Sequence, residues 1–326
     1  MRILSLDGGG YLGLATASFL EETERHFNRR VHDAFDMFCG TSTGAIIALA
    51  LASGLTGSQL VALYEEFGKR VFCNRSLSSL LRKMGKGVFV SKYSNAALRM
   101  ALTDVFGDKT LGDVKASGKS VLITAFSVTT GKPRVFKTDH SDDLTRDDGY
   151  LLRDVALASA AAPIYFPVVS LRSPVNHVEE RYCDGGVFAN HPAVLGYSEA
   201  ISHLGISPAD IHILSLSTPR ADLAEYGCAR SSLQQYFLSR GLISWGTKLA
   251  SVMIDSTSMI AHETLRRALS WRTNGDARYV RIVLDKPAGL GLDVATREST
   301  STLRQLGSEK AFRTDVRDQI AHFFRP

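Results

Sequence analysis

The feature that most constrains this chain is a serine set between two glycines, Gly40-Thr41-Ser42-Thr43-Gly44, with an apolar strand pattern before it (residues 34–39) and an unbroken apolar run after it (residues 45–52). A chain that passes from strand to helix within so few residues must turn sharply, and only small residues fit beside the turn. The serine hydroxyl then projects from the strand end over a helix N-terminus, whose partial positive charge favours developing negative charge. Such a five-residue pattern also recurs by chance in glycine- and serine-rich turns. Its strand-and-helix frame favours Ser42 as a nucleophile.

The remaining pattern supplies the sheet around that turn. Residues 2–6 read as a short strand ended by Asp7 and three glycines, and a helix follows over residues 12–27. Residues 45–52 are apolar on every side, as in a buried helix. Another helix starts near Ser58, with serine as its N-cap. Strands are expected at residues 120–128 and 133–138, joined by a turn with Gly131-Lys132, and a helix over residues 151–161 stops before Pro163. Further strands are expected at residues 181–183, 211–217 and 278–284. Strands separated by helices imply an α/β fold with a mixed, largely parallel sheet under helical layers. Residues 221–275 read as mainly helical, an appendage on the sheet domain because a strand follows them.

Composition agrees with a folded enzyme-sized chain: 326 residues, 44% apolar and 22% charged, with a net charge of only +5. That charge does not by itself point to nucleic acid. No stretch approaches the roughly 20 apolar residues that span a bilayer, and the N-terminus runs straight into a strand, so no signal peptide is expected. The four cysteines (Cys39, Cys73, Cys183, Cys228) show no metal-ligand spacing. Reduced thiols and a cytoplasmic location are the expectation.

Two more glycine sites bear on chemistry. In Asp7-Gly8-Gly9-Gly10-Tyr11-Leu12-Gly13, consecutive glycines let backbone N–H groups converge on an anion, either a phosphate or the oxyanion of acyl transfer. Gly8, Gly10 and Gly13 also satisfy a dinucleotide-binding pattern. Asp7 would then crowd the pyrophosphate, and the second strand ends in the serine turn where an acidic residue is needed. Asp184-Gly185-Gly186, after the strand at 181–183, is by itself an ordinary turn. Beside a serine that needs a base, it is a candidate partner.

Taken together, the Asp-Gly-Gly-Gly-x-x-Gly, Gly-x-Ser-x-Gly and Asp-Gly-Gly motifs, in this order and spacing, resemble the patatin-like phospholipases. The stretches Phe106-Gly-Asp-Lys-Thr-Leu, Ala158-Ser-Ala-Ala-Ala-Pro-Ile-Tyr-Phe-Pro and Gly185-Gly-Val-Phe-Ala-Asn are similar as well. The resemblance covers residues 1–220 and leaves 221–326 as a C-terminal extension packed on that core. It implies a three-layer α/β/α sandwich and a Ser–Asp dyad in which Ser42 attacks a phospholipid ester and Asp184 is the base. It further implies an oxyanion hole of Gly8, Gly9 and Gly10 amides, an acyl-enzyme at Ser42 and release of fatty acid, with no metal or other cofactor. Two positions depart from the family: Leu12 stands where arginine is common, and His191 where asparagine is common.

His191 lies seven residues past Asp184 and keeps a Ser–His–Asp esterase in play. An acyltransferase using the same serine is the other alternative. For reaching lipid, residues 69–92 carry seven cations (Lys69, Arg70, Arg75, Arg82, Lys83, Lys86, Lys92) and no acidic residue, interleaved with apolar side chains. This segment reads either as a basic face for the inner surface of an anionic membrane or as a solvated helix–loop packed on the core. Arginines and aromatics from Arg240 to Arg281 read as solvated charges, with a phosphate-bearing ligand site as the alternative. Compact bacterial proteins similar to this one include anti-phage effectors switched on by cyclic oligonucleotides, which makes such a nucleotide the expected activator. Oligomeric state is not legible.

Overall fold

In the computed structural model, described for residues 1–72, 91–141, 144–220, 242–270, 272–273, 276–287 and 289–325, one eight-stranded sheet organises the chain. Its strands are β1 (Arg2–Leu6), β2 (Met37–Thr41), β3 (Ser120–Ser127), β4 (Lys132–Lys137), β5 (Val169–Arg172), β6 (Glu179–Asp184), β7 (His212–Leu216) and, after a small β8–β9 pair (Arg272–Thr273, Asp276–Ala277), β10 (Tyr279–Ile282). Order along the sheet is β10-β7-β1-β2-β3-β6-β5, with β4 also pairing β3. The first five are parallel, while β4, β5 and β6 pair antiparallel. This is the mixed, mostly parallel sheet expected.

The central strands read as apolar runs because both of their faces are covered. Side chains alternate between two cores: Leu4, Leu6 and Phe38 join one, and Ile3, Met37 and Cys39 the other. The first core is roofed by the helices Gly13–Phe27, Thr43–Ala52, Gly57–Phe67 and Arg297–Phe312. The second is covered by Ala193–Ser202 and the far end of Leu242–Ala268, through Leu265. Helices therefore lie on both sides of the sheet. The C-terminal third supplies β10 at the sheet edge and the Arg297–Phe312 helix, where a Cβ on Gly307 would sit 2.1 Å from the Ala15 carbonyl oxygen. That close approach fixes the helix on Gly13–Phe27.

Two boundaries and one strand depart from the sequence reading in ways that bear on the fold. β2 begins at Met37 because Val31–Ala34 makes a helical turn and the Asp36 carboxylate accepts from the Arg2 amide at 2.7 Å. The strand then runs through Gly40 and Thr41 directly into Ser42. The N-cap of Gly57–Phe67 is Thr56, not Ser58: Thr56 and Gln59 form a reciprocal capping box. β5 was not anticipated. Its alternating Val-Ser-Leu-Arg is too short to stand out.

Register decides what meets at the top of the sheet. Leu6 pairs with Gly40 and with Leu216, and Thr41 pairs with Thr124. β6, running the other way, sets Asp184 opposite Ala125. Asp7, Ser42 and Asp184 therefore leave their strands at adjacent positions, at the carboxyl ends of the parallel strands where α/β sheets bind ligands.

Candidate active site

Ser42 sits in a strained positive-φ conformation (φ 56°, ψ −121°) although it carries a side chain. Such backbone costs about 1–3 kcal/mol and persists only where its surroundings enforce it. A Cβ on Gly40 would meet the Gly44 carbonyl oxygen at 2.4 Å, and one on Gly44 the Leu6 oxygen at 2.2 Å. The small-residue rule of the turn is thus a packing requirement. The Ser42 amide donates to Ser159 Oγ at 2.9 Å, and Thr41 Oγ1 donates to the Ala189 carbonyl at 2.6 Å. Thr43 is locked by a hydrogen bond with the Tyr64 hydroxyl. Ser159 was not singled out from sequence, although it lies within the family-like Ala-Ser-Ala-Ala-Ala-Pro stretch.

Asp184 closes the arrangement. Its amide donates to the Ala161 carbonyl at 3.0 Å, and its Oδ1 accepts from the Gly186 amide at 2.7 Å. The Ser42 hydroxyl faces the same carboxyl closely enough to lower its pKa. Burial pushes this acid up to about 6, against the lowering effect of those two donors. Gly185 is required by space, since its Cβ would lie 2.2 Å from Thr124 Oγ1.

The glycine loop crosses beside Ser42. Gly8 is held from both sides: its amide donates to the Asn190 carbonyl at 3.3 Å and its carbonyl accepts from Thr218 Oγ1 at 2.6 Å. Side chains at Gly9 or Gly10 would strike Thr218 (2.2 Å) or the Leu292 carbonyl (2.3 Å). Among the described residues nothing accepts from the Gly9 and Gly10 amides. Of the three expected anion donors, those two are open and Gly8 is engaged. Leu12 is buried and adds no charge.

Ser42, Asp184 and the loop lie along one cavity of about 520 Å³, with a wall built largely from Ile46, Phe67, Val71, Phe72, Leu98 and Phe166. A hydroxyl, a carboxylate that gains its proton near pH 6, and two open amides are the parts acyl transfer needs. The apolar wall suits an acyl chain.

Behind the loop is a charged knot that the sequence reading missed. Asp7 is fully buried and ion-paired with Arg281, whose Nη1 is 2.9 Å from Oδ1, and with Arg220 at 3.0 Å. Burial works to raise the Asp7 carboxyl, but these arginines and His191 hold it below the usual range. Arg220 also reaches Asp255 at 3.2 Å and Ser258 Oγ at 3.0 Å on the Leu242–Ala268 helix. Arg278 and Arg281, read as solvated, are internal; Arg278 donates to the Pro208 carbonyl at 2.6 Å. No local signal could reveal this, because the Asp7 partner lies 274 residues away. His191 belongs to the knot: its Nε2 bonds Ser215 Oγ at 2.9 Å and its Nδ1 the Ser258 carbonyl at 3.3 Å. Both ring nitrogens are therefore occupied away from Ser42.

Of the basic segment, Lys69 and Arg70 fall in a π-helical turn (Gly68–Phe72). Arg70 pairs with Glu66 and Asp104 at 2.6 Å each, and Lys92 pairs with Asp293. Arg75, Arg82, Lys83 and Lys86 lie outside the described residues, as do Cys73, Cys228, Arg240 and Trp271. Among the described residues, no helix is long and apolar enough to cross a membrane.

Comparison with known proteins places the chain in a family. The family described as patatin-like phospholipase matches residues 4–195. A cGAMP-activated phospholipase of Pseudomonas aeruginosa is 35% identical over 82% of this chain and 75% of its own length. Proteins of the same description from Escherichia coli (32% identical, 95% of this chain and 88% of theirs) and Vibrio cholerae (30%, 100% and 94%) are similar nearly end to end.

Proposed function

The chain belongs to the patatin-like phospholipase family and is a lipid hydrolase, and on that premise we propose that it releases fatty acids from membrane phospholipids through Ser42 and Asp184. In this reading the Ser42 proton passes to the Asp184 carboxylate as Oγ bonds to the ester carbonyl carbon. The resulting oxyanion is stabilised by the Gly9 and Gly10 amides and the N-terminus of the Thr43–Ala52 helix. Collapse breaks the bond to the glycerol oxygen, which takes the proton back from Asp184. Water, deprotonated by Asp184, then attacks the acyl-enzyme; the bond to Ser42 Oγ breaks, Oγ takes that proton from Asp184, and the fatty acid leaves. The observation that carries the reading is the Ser42 hydroxyl beside a buried carboxyl raised to about 6, both lining one apolar cavity.

Regulation and location complete the proposal. Relatives similar over most of the chain are described as cGAMP-activated, and another, matching 66% of the chain, as cUMP-AMP-activated. A cyclic dinucleotide is accordingly the proposed switch, in a cytoplasmic anti-phage role, with peripheral contact to the membrane when active. The test is fatty-acid release from a fluorogenic phospholipid, with and without cGAMP and cUMP-AMP. Release should rise at least tenfold with one nucleotide and fall at least a thousandfold in Ser42→Ala. Retention of release by Ser42→Ala would overturn the nucleophile, and full activity without nucleotide would dismiss the switch.

A further inference from the structure

Among the described residues, Ile164 has the least expected backbone. It is β-branched yet adopts φ 75°, a region that such residues avoid. It nevertheless leaves 70% of its surface in solvent. The strain is held by backbone pairing at Ile164 and the residue after it: the Lys92 amide donates to the Ile164 carbonyl at 2.8 Å, and that of Tyr93 to the Tyr165 carbonyl at 2.7 Å. Strain spent on holding an apolar side chain out in water calls for a functional reason.

Ile164 is not isolated. Met253 (57% exposed), Val187 (43%) and Leu292 (41%) are also exposed, and all four line the cavity that holds Ser42. Residues that both line a cavity and face solvent stand at its mouth. These come from four separate stretches of chain, the loop after Leu152–Ser159, the Gly186–Ala189 turn, the Leu242–Ala268 helix and the loop before Arg297–Phe312. Their convergence at one opening is thus not the by-product of a single amphipathic element. Such a crown marks an interaction site.

Charge at the same opening narrows the partner. Among the described lining residues the cations are Arg220 and Lys286. Arg220 is neutralised by Asp7 and Asp255. Lys286 has no carboxylate partner among the described residues, and its amide is fixed to the Arg220 carbonyl at 3.0 Å. We propose that this mouth is a bilayer-docking face: Ile164, Val187, Met253 and Leu292 enter the acyl boundary and Lys286 meets lipid phosphates, placing the cavity against its substrate. The proposal rests on the phospholipase reading and adds the surface by which lipid is reached.

The test is cosedimentation of full-length protein with phosphatidylethanolamine–phosphatidylglycerol vesicles, in a Ser42→Ala background so that the lipid survives. Adding Ile164→Ser and Met253→Ser together should lower the vesicle partition coefficient at least tenfold, and Lys286→Gln about two- to fivefold. With Ser42 intact, the double variant should lose at least ten times more activity on vesicles than on a soluble short-chain ester. Ile164→Gly relieves the backbone strain, so its thermal midpoint should hold or rise while vesicle partition falls. Unchanged partition in the double variant overturns the proposal, and so does a lowered midpoint for Ile164→Gly. A wild-type dimer that the double variant dissolves would assign the crown to a second copy. Vesicle binding without fatty-acid release from any substrate would instead sink the phospholipase reading and leave the docking face standing.

Discussion

Asp7 and Asp184 make an instructive pair. Each is buried, each stands at a strand end (Asp7 just past β1, Asp184 as the last residue of β6), and each is followed by at least two glycines. Their carboxyls nevertheless move in opposite directions. Asp7 is held below the usual range because Arg281, His191 and Arg220 outweigh its desolvation. Asp184 rises to about 6 because only a hydroxyl and an amide oppose the same desolvation. One local sequence thus yields a permanent anion in one place and a proton acceptor in the other. Charged partners brought in by the fold make the difference, and those partners come from β10 and the loop after β7.

The largest effect expected from this contrast is on catalysis. Asp184→Asn should abolish hydrolysis, a loss of at least a thousandfold by fatty-acid release, while the fold tolerates the neutral side chain. The linkage sign is definite. With its folded value raised above the ordinary 3.8, Asp184 makes the native state bind the extra proton between about pH 4 and 6. Its contribution therefore lowers stability as pH rises through that window. The variant should lack that decline, and at pH 7 its thermal midpoint should equal or exceed that of the wild type by a few degrees. In the wild type, kcat/KM should drop about tenfold per pH unit below 6. A rate that is flat from pH 7 to 5 would show that Asp184 is not the base.

Asp7→Asn should do the reverse. Removing one partner of a buried ion pair leaves the other uncompensated, a loss of about 3–5 kcal/mol. Arg281 has only 8% of its side chain exposed and cannot turn to solvent. Denaturant unfolding should show that loss, while the acid limb of the residual activity keeps its midpoint near 6. A shifted limb would mean that the two carboxylates are coupled, and the contrast between them would fail.

The same contrast marks what the sequence could and could not tell. The sheet, the serine turn and the two Asp-Gly-Gly sites were legible because each is local: strand periodicity, small residues at a tight turn, glycines where backbone approaches closely. Ser42, Asp184 and the glycine loop then met because strand register brings residues 6, 40 and 216 level. Arg281 was misjudged for the opposite reason. An arginine between apolar residues in a strand looks half-exposed, and only a buried carboxylate from the far end of the chain turns it inward. The engagement of the Gly8 amide by Asn190 was equally hidden, being a contact between two loops. The strain at Ile164 is likewise invisible in a residue type that ordinarily favours strands.

The smallest effect is expected at His191, and it bears on the choice between dyad and triad. The imidazole is buried between Ser215 and the Ser258 carbonyl. Burial, reinforced by Arg281, lowers it to about 4, so it is neutral at pH 7. A neutral histidine with both nitrogens engaged elsewhere has no route to the Ser42 proton. His191→Ala should thus keep hydrolysis within about threefold of wild type, while the lost hydrogen bonds cost about 1–3 kcal/mol. The pH signature is separate from that of Asp184: a histidine depressed in the folded state contributes stability that is lost as pH falls from about 6.5 to 4. The alanine variant should be less sensitive to acid in that window than the wild type, as read by thermal midpoints at pH 7 and 5. If instead His191→Ala removes hydrolysis and Asp184→Asn keeps it, the proton acceptor is the histidine, and Asp184 is left to orient the site.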